Sequence, residues 1–127
     1  MPKISKDSAR KVQDFGLGVD RGGHLGDDYA ADFVTIRQGH SLAEMLRGLP
    51  DDSCPCPHWG YLFAGKITVT YADHAEVFEA GDAFYMAPGH VPAAEAGTEF
   101  VQFSPAAQLA EVNAVMVANA HRAMQGA

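Results

Sequence analysis

Short stretches of alternating apolar and polar residues run through the middle of the chain, each bounded by glycine, proline or aspartate. Such stretches are typical of β-strands, because successive side chains of a strand point to opposite faces of the sheet. Many short strands at close spacing predict an all-β protein, a small antiparallel β-sandwich or barrel. The predicted strands cover residues 29–37, 54–65, 66–71, 75–80, 83–86 and 98–103.

Two segments carry helical signals instead. Ser41 is a candidate N-cap with a terminating glycine seven residues later, which predicts a short helix or helical turn over residues 41–48. Pro105 follows a second capping serine and begins a helix that runs from residue 106 to about 124. This helix is amphipathic and must dock on the sheet or on a partner chain. Its apolar stripe contains Leu109, Val112, Met116 and Ala120.

The first 28 residues have weak periodicity and five glycines. They predict an irregular arm, with one short helix or edge strand near residues 11–15. A chain of 127 residues is long enough for one domain and too short for two. We therefore divide it into an N-terminal arm (1–28), a barrel (29–105) and a C-terminal helix (106–127) that packs on the barrel or on a partner.

The strands on either side of Asp73-His74 are predicted to form a hairpin with a two-residue turn at that dipeptide. This register gives one mainly apolar face. It places Val69 opposite Phe78, Tyr71 opposite Glu76 and Ile67 opposite Ala80.

Charge and composition narrow the function. The chain has nine Lys+Arg against sixteen Asp+Glu, a net charge of -7, so its surface should repel nucleic acid. No apolar run approaches the roughly 20 residues that a membrane span requires. The N-terminus lacks the apolar middle of a secretory signal, which predicts a cytoplasmic protein. No Ser-His-Asp arrangement, phosphate-binding loop or paired carboxylates can be assigned, which argues against hydrolases and kinases.

The candidate chemistry is concentrated in the segment Cys54-Pro55-Cys56-Pro57-His58. In an extended strand residues 54, 56, 58, 60 and 62 share a face, so two thiols and one imidazole point the same way. If that face lines a cavity, they form a metal or reactive site. If it faces a packed core, the cysteines are small apolar side chains. The opposite face carries Trp59, Tyr61 and Phe63, which predict packing in the core or at an interface, with an aromatic platform for a ligand as the alternative.

Residues 51–65 and 81–92 resemble the two motifs of the cupin superfamily. The first motif is His-x-His, three or four residues, Glu, six residues and Gly; the second is Gly, five residues, Pro-x-Gly, two residues and His. Gly65 matches the closing glycine of the first motif, and Gly81 and Gly89 match the glycines of the second. The resemblance implies a barrel-like sandwich of six to eight strands, of jelly-roll type.

The family's metal ligands are only partly matched in the first motif. His58 stands at the glutamate position. The two histidines of the motif fall on Asp52 and Cys54 or, with the longer spacing, on residues 51 and 53.

In the second motif the family's histidine falls on Pro92, two residues after His90. Some uncharacterised cupins are similar in having a His-x-Gly-Tyr segment and a Pro-Gly-His turn. This chain matches them at residues 58–61 and 88–90, which implies that His58 and His90 act together.

The resemblance therefore implies a ligand pocket formed by Asp52, Cys54, His58 and His90. The expected metal ligands are Cys54, Cys56, His58 and His90. Thiols and imidazoles favour zinc or another borderline-soft metal over magnesium or calcium, with iron, nickel or manganese as alternatives. Four ligands would make a closed structural site, whereas three would leave one position open.

The function implied is that of a small cupin that binds a small molecule. A metal-dependent oxygenase, isomerase or lyase acting on a small polar organic substrate is one form of this prediction. A metal-free ligand-binding or redox-sensing module and a structural zinc site without catalysis are the alternatives. The expected partners are a small-molecule ligand and a second copy of the chain, with neither nucleic acid nor membrane.

Overall fold

The computed structural model describes residues 3–125, which form ten strands and one α-helix. In chain order the elements are β1 (Lys11–Asp14), β2 (Gly18–Leu25), β3 (Tyr29–Ile36), β4 (His40–Ser41), a 3-10 turn (Pro50–Asp52), β5 (His58–Ala64), β6 (Lys66–Thr70), β7 (Ala75–Glu79), β8 (Ala83–Met86), β9 (Val91–Ala94), β10 (Glu99–Pro105) and α1 (Ala106–Gln125).

The strands form two antiparallel sheets. The first has six strands in the order β1-β2-β3-β10-β5-β8, and the second has four in the order β4-β9-β6-β7. The sheets bury their facing apolar side chains against each other, as a β-sandwich requires. The predicted sandwich with a C-terminal helix is confirmed. Its first core cluster contains Leu62, Ile67, Val69, Phe84 and Met86.

The prediction of an irregular arm over residues 1–28 is wrong for most of its length. Strands β1 and β2 belong to the six-stranded sheet, and β2 pairs with β3 over all eight of its residues. The expected edge strand near residues 11–15 is present as β1. Glycines in β2 weakened the strand pattern, yet Gly22 lies where a side chain would collide with Asp32. Residues 1 and 2 lie outside the described part.

The C-terminal helix docks on its own chain. Leu109 and Val112 pack against Leu46, Cys54 and Cys56 in a second core cluster. The helix is confirmed over Ala106–Gln125, while residues 126 and 127 lie outside the described part. None of the helical structure within residues 3–125 has the length and apolar character needed to cross a membrane.

The segment over residues 41–48 is a turn and not a regular helix. Ser41 Oγ accepts a hydrogen bond from Ala43 N at 3.1 Å, and Leu46 N donates to Leu42 O at 3.1 Å. The helical-turn form of the prediction is therefore the correct one. Asn119 of α1 donates to the carbonyls of Met45 and Arg47, which ties the helix to this turn.

The predicted hairpin register is wrong by two positions. Tyr71 N donates to His74 O at 2.8 Å, so residues 72 and 73 form the turn. His74 stacks on the Tyr71 ring with centroids 4.7 Å apart, which favours this closure. A two-residue shift preserves the face of each side chain, so the inward positions were predicted correctly. The observed partners include Ile67–Phe78, Val69–Glu76 and Thr70–Ala75.

Candidate metal and ligand site

A cavity of about 200 Å³ lies between the two sheets and α1. Its walls are mostly apolar, and polar side chains reach it at a small number of points. This combination is typical of small-molecule sites, where apolar walls hold the ligand body and a few polar groups orient it. Apolar side chains in the wall include Val34, Ile36, Met86, Phe100, Leu109 and Met116. The polar side chains include Asp20, His40, Cys54, His58, His90 and Gln102.

His58 is the first residue of β5, and its side chain points into the sandwich with 6% exposure. Its Nδ1 lies 2.6 Å from Ser104 Oγ on the adjacent strand β10. Its Nε2 lies 3.7 Å from Cys54 Sγ. Burial, with a smaller contribution from His90, lowers the pKa of His58 to about 3. The imidazole is therefore neutral at neutral pH, the form that binds metals.

His90 reaches the cavity from the turn between β8 and β9. Gly89 has φ +96°, a conformation that glycine adopts readily and that turns the chain inward. His90 Nδ1 is 2.6 Å from Ala87 O, and a carbonyl only accepts, so Nδ1 carries the proton and Nε2 is free. Burial lowers the pKa of His90 as well. The rings of His58 and His90 have centroids 5.0 Å apart.

Cys54 lies beside the two histidines, but strand alternation, which was predicted to place it there, is not the reason. Strand β5 begins at His58, so strand alternation does not run back through residue 54. Pro55 and Pro57 have no N–H to donate, which interrupts the ladder. Cys54 instead forms an isolated bridge with His90, in which Cys54 N donates to His90 O at 2.9 Å. Burial raises the pKa of the Cys54 thiol, so the thiol keeps its proton at neutral pH and would have to release it to bind a metal.

We refer to Cys54, His58 and His90 as the donor cluster. Their ligand atoms all lie within 4.8 Å of one another. Tetrahedral zinc with ordinary Zn–S and Zn–N bonds separates its sulfur and nitrogen ligands by about 3.5 Å, close to the observed Cys54–His58 separation. For Nε2 of His58 to bind, the ring proton must lie on Nδ1, where Ser104 Oγ accepts it. The residues present therefore fit a metal ion.

The structure separates Cys56 and Asp52 from this cluster. Cys56 has 0% exposure, packs beneath α1, and its Sγ lies 3.6 Å from Pro57 O. Burial, followed by the nearby Cys54 and Asp32, raises the pKa of its thiol to about 12. Asp52 is exposed on the 3-10 turn, where its Oδ1 accepts from Gly48 N at 3.0 Å. Of the four residues predicted for a ligand pocket, Cys54, His58 and His90 line the cavity and Asp52 does not.

Sequence reasoning missed a second polar group, which we call the carboxyl pair. Asp20 of β2 and Asp32 of β3 lie two positions apart along paired strands, because Asp20 is opposite Val34 and Asp32 is opposite Gly22. Asp32 is 7% exposed and Asp20 lines the cavity. Burial, followed by the adjacent Asp32 carboxyl, raises the pKa of Asp20 to about 8. The sequence did contain one signal for this pair: Asp32 lies two residues before Val34, so the two side chains share the same strand face.

Comparisons with known proteins identify the fold. No family model matches the chain, and no curated protein does. Among solved structures, an RmlC-like cupin from Shewanella frigidimarina NCIMB 400 aligns with a TM-score of 0.54 and 15% identity over 75% of this chain and 82% of that one. A protein of unknown function from Rhizobium leguminosarum bv. viciae 3841 aligns with a TM-score of 0.57 and 18% identity over 83% and 96%.

Oxalate decarboxylase from Bacillus subtilis, in a structure that concerns its Mn(II) centres, aligns with a TM-score of 0.58 and 19% identity. The alignment covers 80% of this chain and 28% of the enzyme. These likenesses show the fold and not the activity. The chain has the cupin fold, as its two motifs predicted, and it combines that fold with a Cys/His/His donor cluster.

Proposed function

We propose that this protein is a small-molecule-binding cupin in which Cys54, His58 and His90 hold a divalent metal at the wall of the ligand cavity. The convergence of three donor atoms within 4.8 Å carries the proposal. The hydrogen bonds behind the two rings support it, because metal-binding histidines usually donate their second ring N–H to a fixed acceptor. Here the acceptors are Ser104 Oγ and Ala87 O.

Zinc is the metal we favour. One sulfur and two imidazole nitrogens suit zinc well, whereas manganese prefers oxygen ligands and iron and nickel are intermediate cases. A bound metal would supply Lewis acidity to a ligand in the cavity. Three protein ligands leave one position open, and this argues for a ligand-binding or catalytic metal over a closed structural site.

The cavity also indicates the kind of ligand. A cavity of roughly 150 Å³ lined by apolar side chains accommodates benzene, and this one is somewhat larger. Its walls favour an organic molecule with an apolar body and a few polar substituents. We therefore narrow the small polar substrate predicted from sequence to a ligand that is polar only at its ends.

Metal analysis tests the donor cluster. Protein purified without added metal, then titrated with zinc, is expected to bind about one ion per chain, with a rise in Tm. Cys54→Ala and His58→Ala are expected to lose that ion. Cys56→Ala is the matched control, because it removes a buried thiol outside the cluster and should keep it. The proposal fails if the wild type binds no zinc, or if Cys56→Ala lowers binding as much as Cys54→Ala.

We also propose that the chain pairs with a second copy through the outer face of the six-stranded sheet. The aromatic residues predicted to pack in the core or at an interface are not in the core. Contiguous exposed aromatic area commonly marks an interface. Light scattering coupled to gel filtration should show a dimer for the wild type and a monomer for Tyr61→Lys, with Val117→Lys of α1 as control. The exposed residues are Tyr29, Trp59, Tyr61, Phe63 and Tyr85.

A further inference from the structure

The carboxyl pair shares the inner face of the six-stranded sheet with the donor cluster. Strand β10 separates them, since β3 carries Asp32 on one side of it and β5 carries His58 on the other. Two strand spacings correspond to about 10 Å across the sheet. Asp20 and His58 both line the one cavity. The cavity therefore has the two polar groups at different places in its wall, with Gln102 on the strand between them and apolar side chains over most of the remainder.

Apart from the proton held between the two carboxyl groups, one oxygen of each meets no hydrogen-bond donor of another described residue. Within residues 3–125, Asp20 Oδ1 and Asp32 Oδ2 are buried side-chain oxygens without a hydrogen-bond partner. Buried polar atoms are nearly always paired, so each unpaired oxygen requires an explanation. Space for the Asp32 carboxyl comes from Gly22, where a Cβ would lie 2.3 Å from Asp32 Oδ1. The strand thus lacks a side chain where it would displace this carboxylate.

The charge of the pair is also left without a buried partner. The two carboxyl groups interact through a hydrogen bond that raises the pKa of Asp20 and lowers that of Asp32, so Asp20 holds the proton and a negative charge on the pair lies on Asp32. Lys11 is the cation that acts on both, but it is exposed on the edge strand β1, where solvent screens it. In the described part of the chain no lysine or arginine lines the cavity.

We propose that the carboxyl pair binds, through Asp20 at the cavity wall, the protonated amine of a small ligand whose apolar body fills the cavity. This inference rests on the proposed function, since it names the class of ligand for the same cavity. An ammonium group has several N–H donors for the two unpaired oxygens and one positive charge for the pair. Magnesium or calcium fits less well, because both need more oxygen ligands than two carboxyl groups supply.

Three probes of nearly equal shape test the inference at pH 7: benzylamine, benzyl alcohol and toluene. Their affinities are measured by titration followed with two-dimensional amide NMR. The wild type is expected to bind benzylamine roughly tenfold or more tightly than the other two, as a charge-assisted hydrogen bond implies. Only benzylamine carries the positive charge, so the comparison isolates it.

Isosteric variants assign the preference to the pair. Asp32→Asn and Asp20→Asn should bind benzylamine no better than benzyl alcohol, while the affinity for toluene stays as in the wild type. Asp27→Asn, which removes an exposed carboxylate, should retain the preference. His58→Gln should retain it as well, which excludes coordination of the amine to a metal at the donor cluster. The amide spectra of each variant report whether it is folded.

The outcomes separate this inference from the proposal on which it rests. If all three probes bind equally, or if the amine preference survives in both Asp→Asn variants, the inference is overturned and the ligand cavity stands. If the preference disappears in His58→Gln, the amine binds at the donor cluster and the inference is wrong. If none of the probes binds, the ligand cavity itself is refuted, and the inference with it.

Discussion

The donor cluster and the carboxyl pair are two buried polar groups that both reach one cavity, the second through Asp20, and they differ in how far the protein satisfies their hydrogen bonds. In the donor cluster each ring nitrogen that faces away from the cavity has a fixed partner, Ser104 Oγ for His58 and Ala87 O for His90. In the carboxyl pair one oxygen of each aspartate has none. The first group is oriented before anything binds. The second is incomplete until something does.

Desolvation acts on both groups in opposite directions. It lowers the pKa of His58 to about 3 and raises that of Asp20 to about 8. In each case the apolar surroundings disfavour the charged form. The cavity wall therefore carries a neutral base at one place and a protonated acid at another, and one physical cause produces both.

Removal of the Ser104 hydroxyl should affect the donor cluster alone. Ser104→Ala leaves His58 Nδ1 without its acceptor, and loss of such a partner typically lowers metal affinity by about 10–100-fold. Competition with a zinc chelator measures the change. Thr98→Val, which removes a buried hydroxyl bonded to Lys66, should leave zinc affinity unchanged. An equal loss in both variants would mean that the effect is one of general stability.

A methyl group at Gly22 should disturb the carboxyl pair and leave the donor cluster in place. In Gly22→Ala the new Cβ would meet Asp32 Oδ1 at 2.3 Å and Ala31 O at 2.9 Å. Overpacking of this kind is expected to lower the free energy of unfolding by about 1–3 kcal/mol, measured by urea denaturation. Gly23→Ala is the adjacent control, because its Cβ meets only the flexible end of Ile4 at 3.0 Å. Similar losses in the two variants would contradict the close fit of Asp32.

The alkaline side of the stability profile should report the carboxyl pair. The pKa of Asp20 is about 8 in the folded protein and near 3.8 when unfolded, so between these values the folded state binds more protons. The free energy of unfolding therefore falls as pH rises through this window. Between pH 6.5 and 8 the metal-free wild type should lose stability, and Asp20→Asn should lose less. Parallel profiles for the two proteins would refute the raised pKa.

The acidic side of the stability profile should report the donor cluster. The net change in the free energy of unfolding should be smaller there than on the alkaline side. The pKa of His58 is about 3 when folded and 6.5 when unfolded, so in this window the unfolded state binds more protons and stability falls as pH falls. Asp20 opposes this trend between pH 6.5 and 3.8. Metal-free His58→Gln should therefore lose less stability than the wild type, or gain some, as the pH falls from 6.5 to 3.8. A larger loss in the variant than in the wild type would contradict the lowered pKa of His58.

The fold was more predictable than the site because strand alternation and turn glycines are local signals. These signals predicted the sandwich, the C-terminal helix and which side chains of β6 point inward. Alternation failed at Cys54 and Cys56, where two prolines end the strand and Cys54 is placed by its bridge to His90. No local pattern encodes such a bridge, since it joins segments more than thirty residues apart.

The carboxyl pair was missed for a related reason. Asp20 lies in a glycine-rich strand that the sequence did not identify, so nothing indicated that it meets Asp32 across β2 and β3. Burial of an acidic residue became visible only when the register of these strands was known. Pairing between segments that are distant in sequence thus positions both the donor cluster and the carboxyl pair.

The junction between β10 and α1 connects the helix that lines the cavity to the hydrogen bond that positions His58. Ser104, which holds the ring of His58, is followed by Pro105 and then by the first residue of the helix that lines the cavity. A ligand that shifts α1 must therefore pull on the Ser104–His58 hydrogen bond through a short and stiff connection. Ligand affinity and metal affinity would then change together, and thermodynamic linkage requires that each affect the other by the same factor.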